Sequence, residues 1–176
     1  MLRMNSLFFW VDAFSATPFG GNPAAVCVGT DHLSKSQLQS LANEFNLSES
    51  TFIDGVDGCY SIRWFTPIKE LPLVGHATLA AAHVVFSELE PNLSEIEFVS
   101  PLSGKLKAYR SGDGVAIVLP EDRTIVCDPP LELIRGLGKA PVRTLKGRHY
   151  VAVYDDADTV AALQPDFRSL EMLDLR

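Results

Sequence analysis

The sequence predicts an α+β fold in which a curved sheet wraps around one buried helix. Residues 77–86 (ATLAAAHVVF) are apolar on nearly every side, and a helix with no polar face has to be covered all round. Short strand-like runs lie before and after it, each closed by a cluster of Gly, Pro, Asn, Asp or Ser. That punctuation belongs to sheets and hairpins and not to a helical bundle.

In chain order, residues 7–14 form an apolar and aromatic run that ends at Pro18-Phe19-Gly20-Gly21-Asn22-Pro23, a strand followed by a turn. A second strand restarts over residues 24–28. The first helix follows: Ser34 and Gln37 have capping-box spacing, and Leu38, Leu41, Ala42 and Phe45 repeat at i, i+3, i+4, i+7. Asn46 is suited to a left-handed stop. Residues 50–53 and 60–65 read as strands joined by a turn over 54–58. After the apolar helix come strands at 96–99, 105–109 and 115–119, with turns at Ser103-Gly104 and over 111–114.

Residues 120–130 are rich in Pro and charge and show no periodicity, so the chain divides into a first domain (1–120), a link (121–130) and the start of a second unit (131–176). In the second unit, Asp128 is placed to cap a short helix that opens at Pro129-Pro130 and ends near Gly136 or Gly138. A strand is expected at 149–154, and a helix at 159–163 stopped by Pro165. Only 46 residues follow the link, fewer than the ~100 of a usual domain core, so this unit is expected to be incomplete.

Composition narrows the function. With 47% hydrophobic and 21% charged residues the chain is an ordinary globular one. A net charge of -7 argues against nucleic-acid binding through a general basic surface, although a local nest of backbone N–H groups can still hold an anion. Cys27, Cys59 and Cys127 are odd in number and lack CxxC spacing, which speaks for reduced and mostly buried thiols over a disulfide or zinc scaffold. The longest run without a charged residue, 71–87, contains Pro72, Gly75, His76 and His83 and is too short to span a membrane. No signal peptide is read at the N-terminus, and a cytoplasmic location is expected.

Two segments carry chemistry. In Asn46-Leu47-Ser48-Glu49-Ser50-Thr51-Phe52, Glu49 stands at the entry to a strand, where a carboxylate can point across the sheet end; a solvated loop glutamate is the plain alternative. In Pro72-Leu73-Val74-Gly75-His76-Ala77-Thr78, Gly75 permits a close approach to the backbone at the start of the buried helix. The N–H groups of His76, Ala77 and Thr78 are expected to point outward at the positive end of the helix dipole, which favours a carboxylate or phosphate. The same dipole biases His76 toward neutral imidazole; a capping or core histidine is its plain alternative. His83, one heptad later, reads as packing and not as a second metal ligand. There is no GxGxxG, P-loop, HExxH or GxSxG, so no nucleotide cofactor and no metal are expected. Proton transfer at carbon next to a carboxylate fits what remains.

Taken in series, Val11-Asp12-Ala13-Phe14, the Pro18-to-Val26 stretch, Asn46-Leu47-Ser48-Glu49, Arg63-Trp64-Phe65-Thr66-Pro67 and Leu71-to-Ala80 resemble the PhzF-like phenazine-biosynthesis family in order and spacing. The resemblance implies the diaminopimelate epimerase-like fold: two pseudo-symmetric domains, each a curved mixed sheet around a central helix, with the active site in the cleft between them. It implies that Glu49 shuttles a proton with His76 assisting, and that Asn22, Gly75, Ala77 and Thr78 serve substrate binding. The family member of known chemistry isomerises a dihydro-hydroxyanthranilate, whereas the epimerases of this fold use paired cysteines. Here a carboxylate-based isomerase without cofactor is implied, acting on a small anionic metabolite. Val74 stands where a cysteine is frequent. Members also continue past this length with a second acidic residue and a Gly-Ser-Ala-His-type motif, and no such motif follows Arg123. The alternative expectation is therefore a non-catalytic homologue acting as a binding or oligomerisation module. In either case the open strand edges of an incomplete unit invite pairing, and a homodimer is expected.

Overall fold

A computed structural model describes residues 6–17 and 19–174; Pro18 of the glycine-rich turn and the last two residues of the second unit lie outside the described residues. The chain forms two compact units, Met1–Leu119 and Pro120–Arg176.

The first unit opens with β1 (Leu7–Ala13), β2 (Asn22–Val28) and α1 (Lys35–Phe45). The local signals for α1 hold. Ser34 is the N-cap in a reciprocal capping box with Gln37, and Asn46 closes the helix in the left-handed conformation at φ 52°. Leu38 and Ala42 are buried against Cys27, Phe52 and Phe65 on the outer face of the sheet. Replacing Ser34 with Ala leaves a first-turn N–H without its acceptor. It is expected to cost about 1 kcal/mol, read as a lowered urea midpoint, while a Thr at the same place restores most of it.

Next come β3 (Glu49–Val56), β4 (Cys59–Phe65), the short β5 (Glu70–Leu71) and α2 (Gly75–Val84), which runs on into a π-helical turn, Val85–Leu89. β6 (Glu95–Ser100), β7 (Gly104–Ser111) and β8 (Gly114–Val118) complete the unit. The turn expected over 54–58 is tighter than that. β3 continues to Val56, and the hairpin closes on Asp57-Gly58 with φ 55° and 73°, the two positive values that a two-residue turn matching strand twist requires. The Glu90 carboxylate accepts both turn N–H groups, at 2.6 and 2.8 Å.

Among the described residues, eight strands make one mixed sheet in the order β1-β2-β3-β4-β6-β7-β8, with β5 beside β4. The β2–β3 and β4–β6 pairs are parallel. Alternation decides what faces inward: Tyr60, Ile62 and Trp64 from β4, Ile96 and Phe98 from β6, and Leu106 and Ala108 from β7 are buried in one core with α2. Ala77, Ala80, Ala81, Ala82 and Val84 of α2 are buried there too, and their small side chains let the sheet close on the helix. His83 departs from the packing expectation: it is exposed. With Leu79 and Ala80 it floors a groove of about 520 Å³ between Val11–Ala13 of β1 and Gly114-Val115 of β8, where the two end strands of the sheet leave the helix uncovered.

In the second unit, β9 (Ile125–Cys127), β10 (Arg143–Lys146) and β11 (Tyr150–Val153) form an antiparallel sheet in the order β11-β10-β9. Strand β9 lies inside the stretch whose composition shows no periodicity. The helix α3 (Leu131–Leu137) is capped by Pro130 without a side-chain bond, so Asp128 is not its cap. It ends at Gly138, as the sequence suggests. α4 (Ala157–Ala161) starts before the expected helix because the Asp156 carboxylate accepts from the Thr159 N–H. α5 (Phe167–Leu170) packs on α3, where Leu170 occupies the space a Cβ at Gly136 would need. All three cysteines are free, but only Cys27 is buried, its thiol pushed up to about 12 by desolvation; Cys59 is exposed and Cys127 half-buried.

Candidate active site

The parallel pairing of β2 and β3 sets Ala24 opposite Glu49, so both strands start at the same end of the sheet. Asn22 opens β2 there and is exposed. Asn46, turning left-handed after α1, delivers the chain into β3 so that Glu49 is its first residue. The first turn of α2 abuts this end. The Nε2 of His76 lies 3.4 Å from the Oε2 of Glu49, with the imidazole about nine-tenths buried and the carboxyl 20% exposed. The alignment is too poor for a hydrogen bond, and Nε2 is left without a hydrogen-bonding partner among the described residues.

Val74 is the N-cap of α2 and offers no side-chain acceptor, so the N–H groups of Gly75, His76 and Ala77 have no intrahelical partner. Contrary to what the sequence suggests, the Thr78 N–H is not free at the helix end. Its N–H donates to the Val74 carbonyl at 3.1 Å, its hydroxyl donates to the same oxygen at 2.6 Å, and the side chain is fully buried. Thr78 therefore holds the first turn together and presents no free group. At Gly75 an added Cβ would meet, among the described residues, only Leu119, at an ordinary 3.6 Å, so their packing does not demand a glycine there.

The loop between β1 and β2 adds a residue that spacing alone does not single out. The Asp12 carboxylate accepts the Phe19 N–H at 2.9 Å and holds a loop in which Phe14 and Phe19 have φ of 66° and 64°. Gly21 closes it: a Cβ there would sit 2.4 Å from the Ala13 carbonyl. The detectable signal is an Asp inside an otherwise apolar strand just before a Gly-Gly turn.

Burial lowers the pKa of His76 below the ordinary 6.5, with the Glu49 charge pulling the other way. The direction is the one the sequence suggests, but its cause is desolvation and not the helix dipole. The unfolded chain takes up this proton before the folded one does, so stability should fall as pH drops through the ordinary histidine value and level off below the folded pKa. His76→Gln should flatten that decline below the ordinary histidine value. Denaturation midpoints across the range read it, and parallel profiles for the two proteins would show that His76 is not the group responsible.

Among the described residues, no cluster of three or more His, Cys, Asp or Glu is arranged to hold a metal ion. No described helix is long and apolar enough to cross a membrane.

A family model described as phenazine biosynthesis-like protein matches residues 11–126. An uncharacterized isomerase of Pseudomonas aeruginosa is 44% identical over 173 residues, which are 98% of this chain and 66% of that protein. The human phenazine biosynthesis-like domain-containing protein is 45% identical over 120 residues, 64% of this chain and 41% of its own length. A crystal structure of a PhzF family phenazine biosynthesis protein from Enterococcus faecalis superposes with a TM-score of 0.83 at 37% identity, covering 96% of this chain and 64% of that one. The chain thus spans just under two thirds of the bacterial proteins it matches.

Proposed function

This chain belongs to the phenazine biosynthesis-like family, and from that premise we propose that it serves a cofactor-independent isomerase acting on a small carboxylate-bearing metabolite. The observation that carries the reading is the Glu49–His76 pair at the uncapped start of α2. The substrate carboxylate is received by the first-turn N–H groups at the positive end of the helix. Glu49 removes a proton from a neighbouring carbon, the C–H electron pair moves into the conjugated system, and the same carboxyl returns the proton to another carbon. Atoms and electrons balance without an oxidant or reductant. Burial favours the neutral ring of His76, which suits it to accept or relay a proton beside Glu49. An isomerase whose name is carried by a relative 44% identical is consistent with this chemistry.

The test is incubation of the protein with a panel of small unsaturated carboxylates in deuterium oxide, followed by NMR. Isomerisation with solvent deuterium at the receiving carbon is expected, because the Glu49 carboxyl is still 20% exposed and its proton can exchange with water. Isomerisation that excludes solvent deuterium even at long times would argue for a different carrier of the hydrogen.

A further inference from the structure

We propose that Thr51 is a positioning residue for the Glu49–His76 pair, its buried hydroxyl fixing the first turn of α2 against β3. The inference rests on the acid–base reading of that pair. Thr51 is fully buried, and its hydroxyl donates to the Ala77 carbonyl at 3.4 Å. Glu49 and Thr51 are two residues apart on one strand and so share a face. Ala77 directly follows His76. Strand and helix are therefore joined by two adjacent links, the carboxyl–imidazole approach at 3.4 Å and the hydroxyl–carbonyl bond beside it.

The other buried residues of α2 in this core, Ala77, Ala80, Ala81, Ala82 and Val84, are apolar and pack among apolar side chains. Such contacts are non-directional and leave the helix free to slide along β3 by fractions of an ångström. A hydroxyl bond has a preferred length and angle, and it resists that sliding. Placing a hydroxyl in an apolar core also carries a desolvation cost that valine, of nearly the same shape, would avoid. A directional tether at this one position explains why a threonine is useful where valine would pack as well.

The four histidines of the chain can be followed together by imidazole NMR, with His32, His83 and His149 as internal references. Three variants of the full chain decide the matter. Glu49→Gln removes the charge that raises the His76 pKa, so the His76 midpoint should fall. Thr51→Val should shift it in the same direction by part of that amount, because the carboxyl is no longer held at its present distance. Thr51→Ser keeps the hydroxyl and should leave the midpoint at the wild-type value. In the Glu49→Gln background, Thr51→Val should add nothing, since the tether acts through Glu49. A purely structural threonine would change the melting temperature and leave the titration alone. If Glu49→Gln moves His76 while Thr51→Val does not, or if Ser and Val behave alike, the positioning role is wrong. If Glu49→Gln itself leaves His76 unmoved, the coupling of the pair fails instead. Should Thr51→Val not fold, Thr51→Ala set against Thr51→Ser asks the same question of the hydroxyl.

Discussion

Glu49→Gln is expected to slow proton transfer on the substrate by about 10²- to 10⁴-fold, the usual contribution of a positioned general acid–base group, which corresponds to about 3–5 kcal/mol of barrier. Gln has nearly the same size and can keep the place of Glu49 at the start of β3, but it cannot carry the proton. The approach of Glu49 to His76 is not an aligned hydrogen bond, so little folding stability should be lost with the charge. The two kinetic constants should separate. In the proposed binding mode the substrate carboxylate lies on the N–H groups of α2, which the substitution leaves in place, so KM should change little while kcat collapses. Removing a negative charge near an anion site even favours a lower KM. His76→Gln should be milder, since the primary carrier remains. A Glu49→Gln protein that washes solvent deuterium into product at the wild-type rate would move the base to another residue.

Where the sequence is legible and where it is not follows from the range of the interactions. The boundaries of α1 are readable because Ser34, Gln37 and Asn46 act within one turn of the helix ends they define. The central place of α2 is readable because ATLAAAHVVF has no side to give to water. Position-specific errors arise where one residue has two uses. Thr78 has the N–H and hydroxyl of a ligand-binding residue, but both donate to the Val74 carbonyl one turn back. His83 looks like packing from periodicity, yet the sheet path ends at β1 and β8 and leaves that side of α2 open. β5 and β10 are too short to show any alternation, and they exist only because β4, β9 and β11 offer edges to pair with. Glu49 and His76 are 27 residues apart in sequence, and no local rule brings them together. The parallel register of β2 with β3 does so, with α2 starting against that sheet end.

The largest expected loss of stability comes from a residue with no catalytic role. Glu70 is 6% exposed and accepts two bonds from one guanidinium: Nε of Arg63 at 2.7 Å and a terminal nitrogen at 3.0 Å. The Lys35 ammonium lies 2.6 Å away. The Arg63 guanidinium also lies 5.2 Å from the centre of the Phe65 ring, so moving it disturbs a cation–π contact as well. Glu70 sits in β5, beside Phe65 of β4 and just before the segment that leads into α2. Glu70→Ala leaves a largely buried guanidinium without its counter-charge, and the cost of breaking such a pair from one side is about 3 kcal/mol. Lys35→Ala removes only an exposed partner and should cost less than about 1 kcal/mol. Arg63→Lys cannot reproduce the two-pronged geometry and should fall between the two. The bonds from Arg63, opposed by burial and aided by Lys35, hold the Glu70 carboxyl below its ordinary 4.5. This stabilisation is therefore complete above the ordinary value and is lost as pH falls through the lower folded one. Glu70→Gln should flatten that acid limb. Both tryptophans, Trp10 and Trp64, lie in the first unit, so their fluorescence during urea unfolding reports on the part of the chain that holds this network. A Glu70→Ala protein that unfolds at the wild-type midpoint would mean the cluster contributes no net stability, and that β5 is held by its two backbone pairings alone.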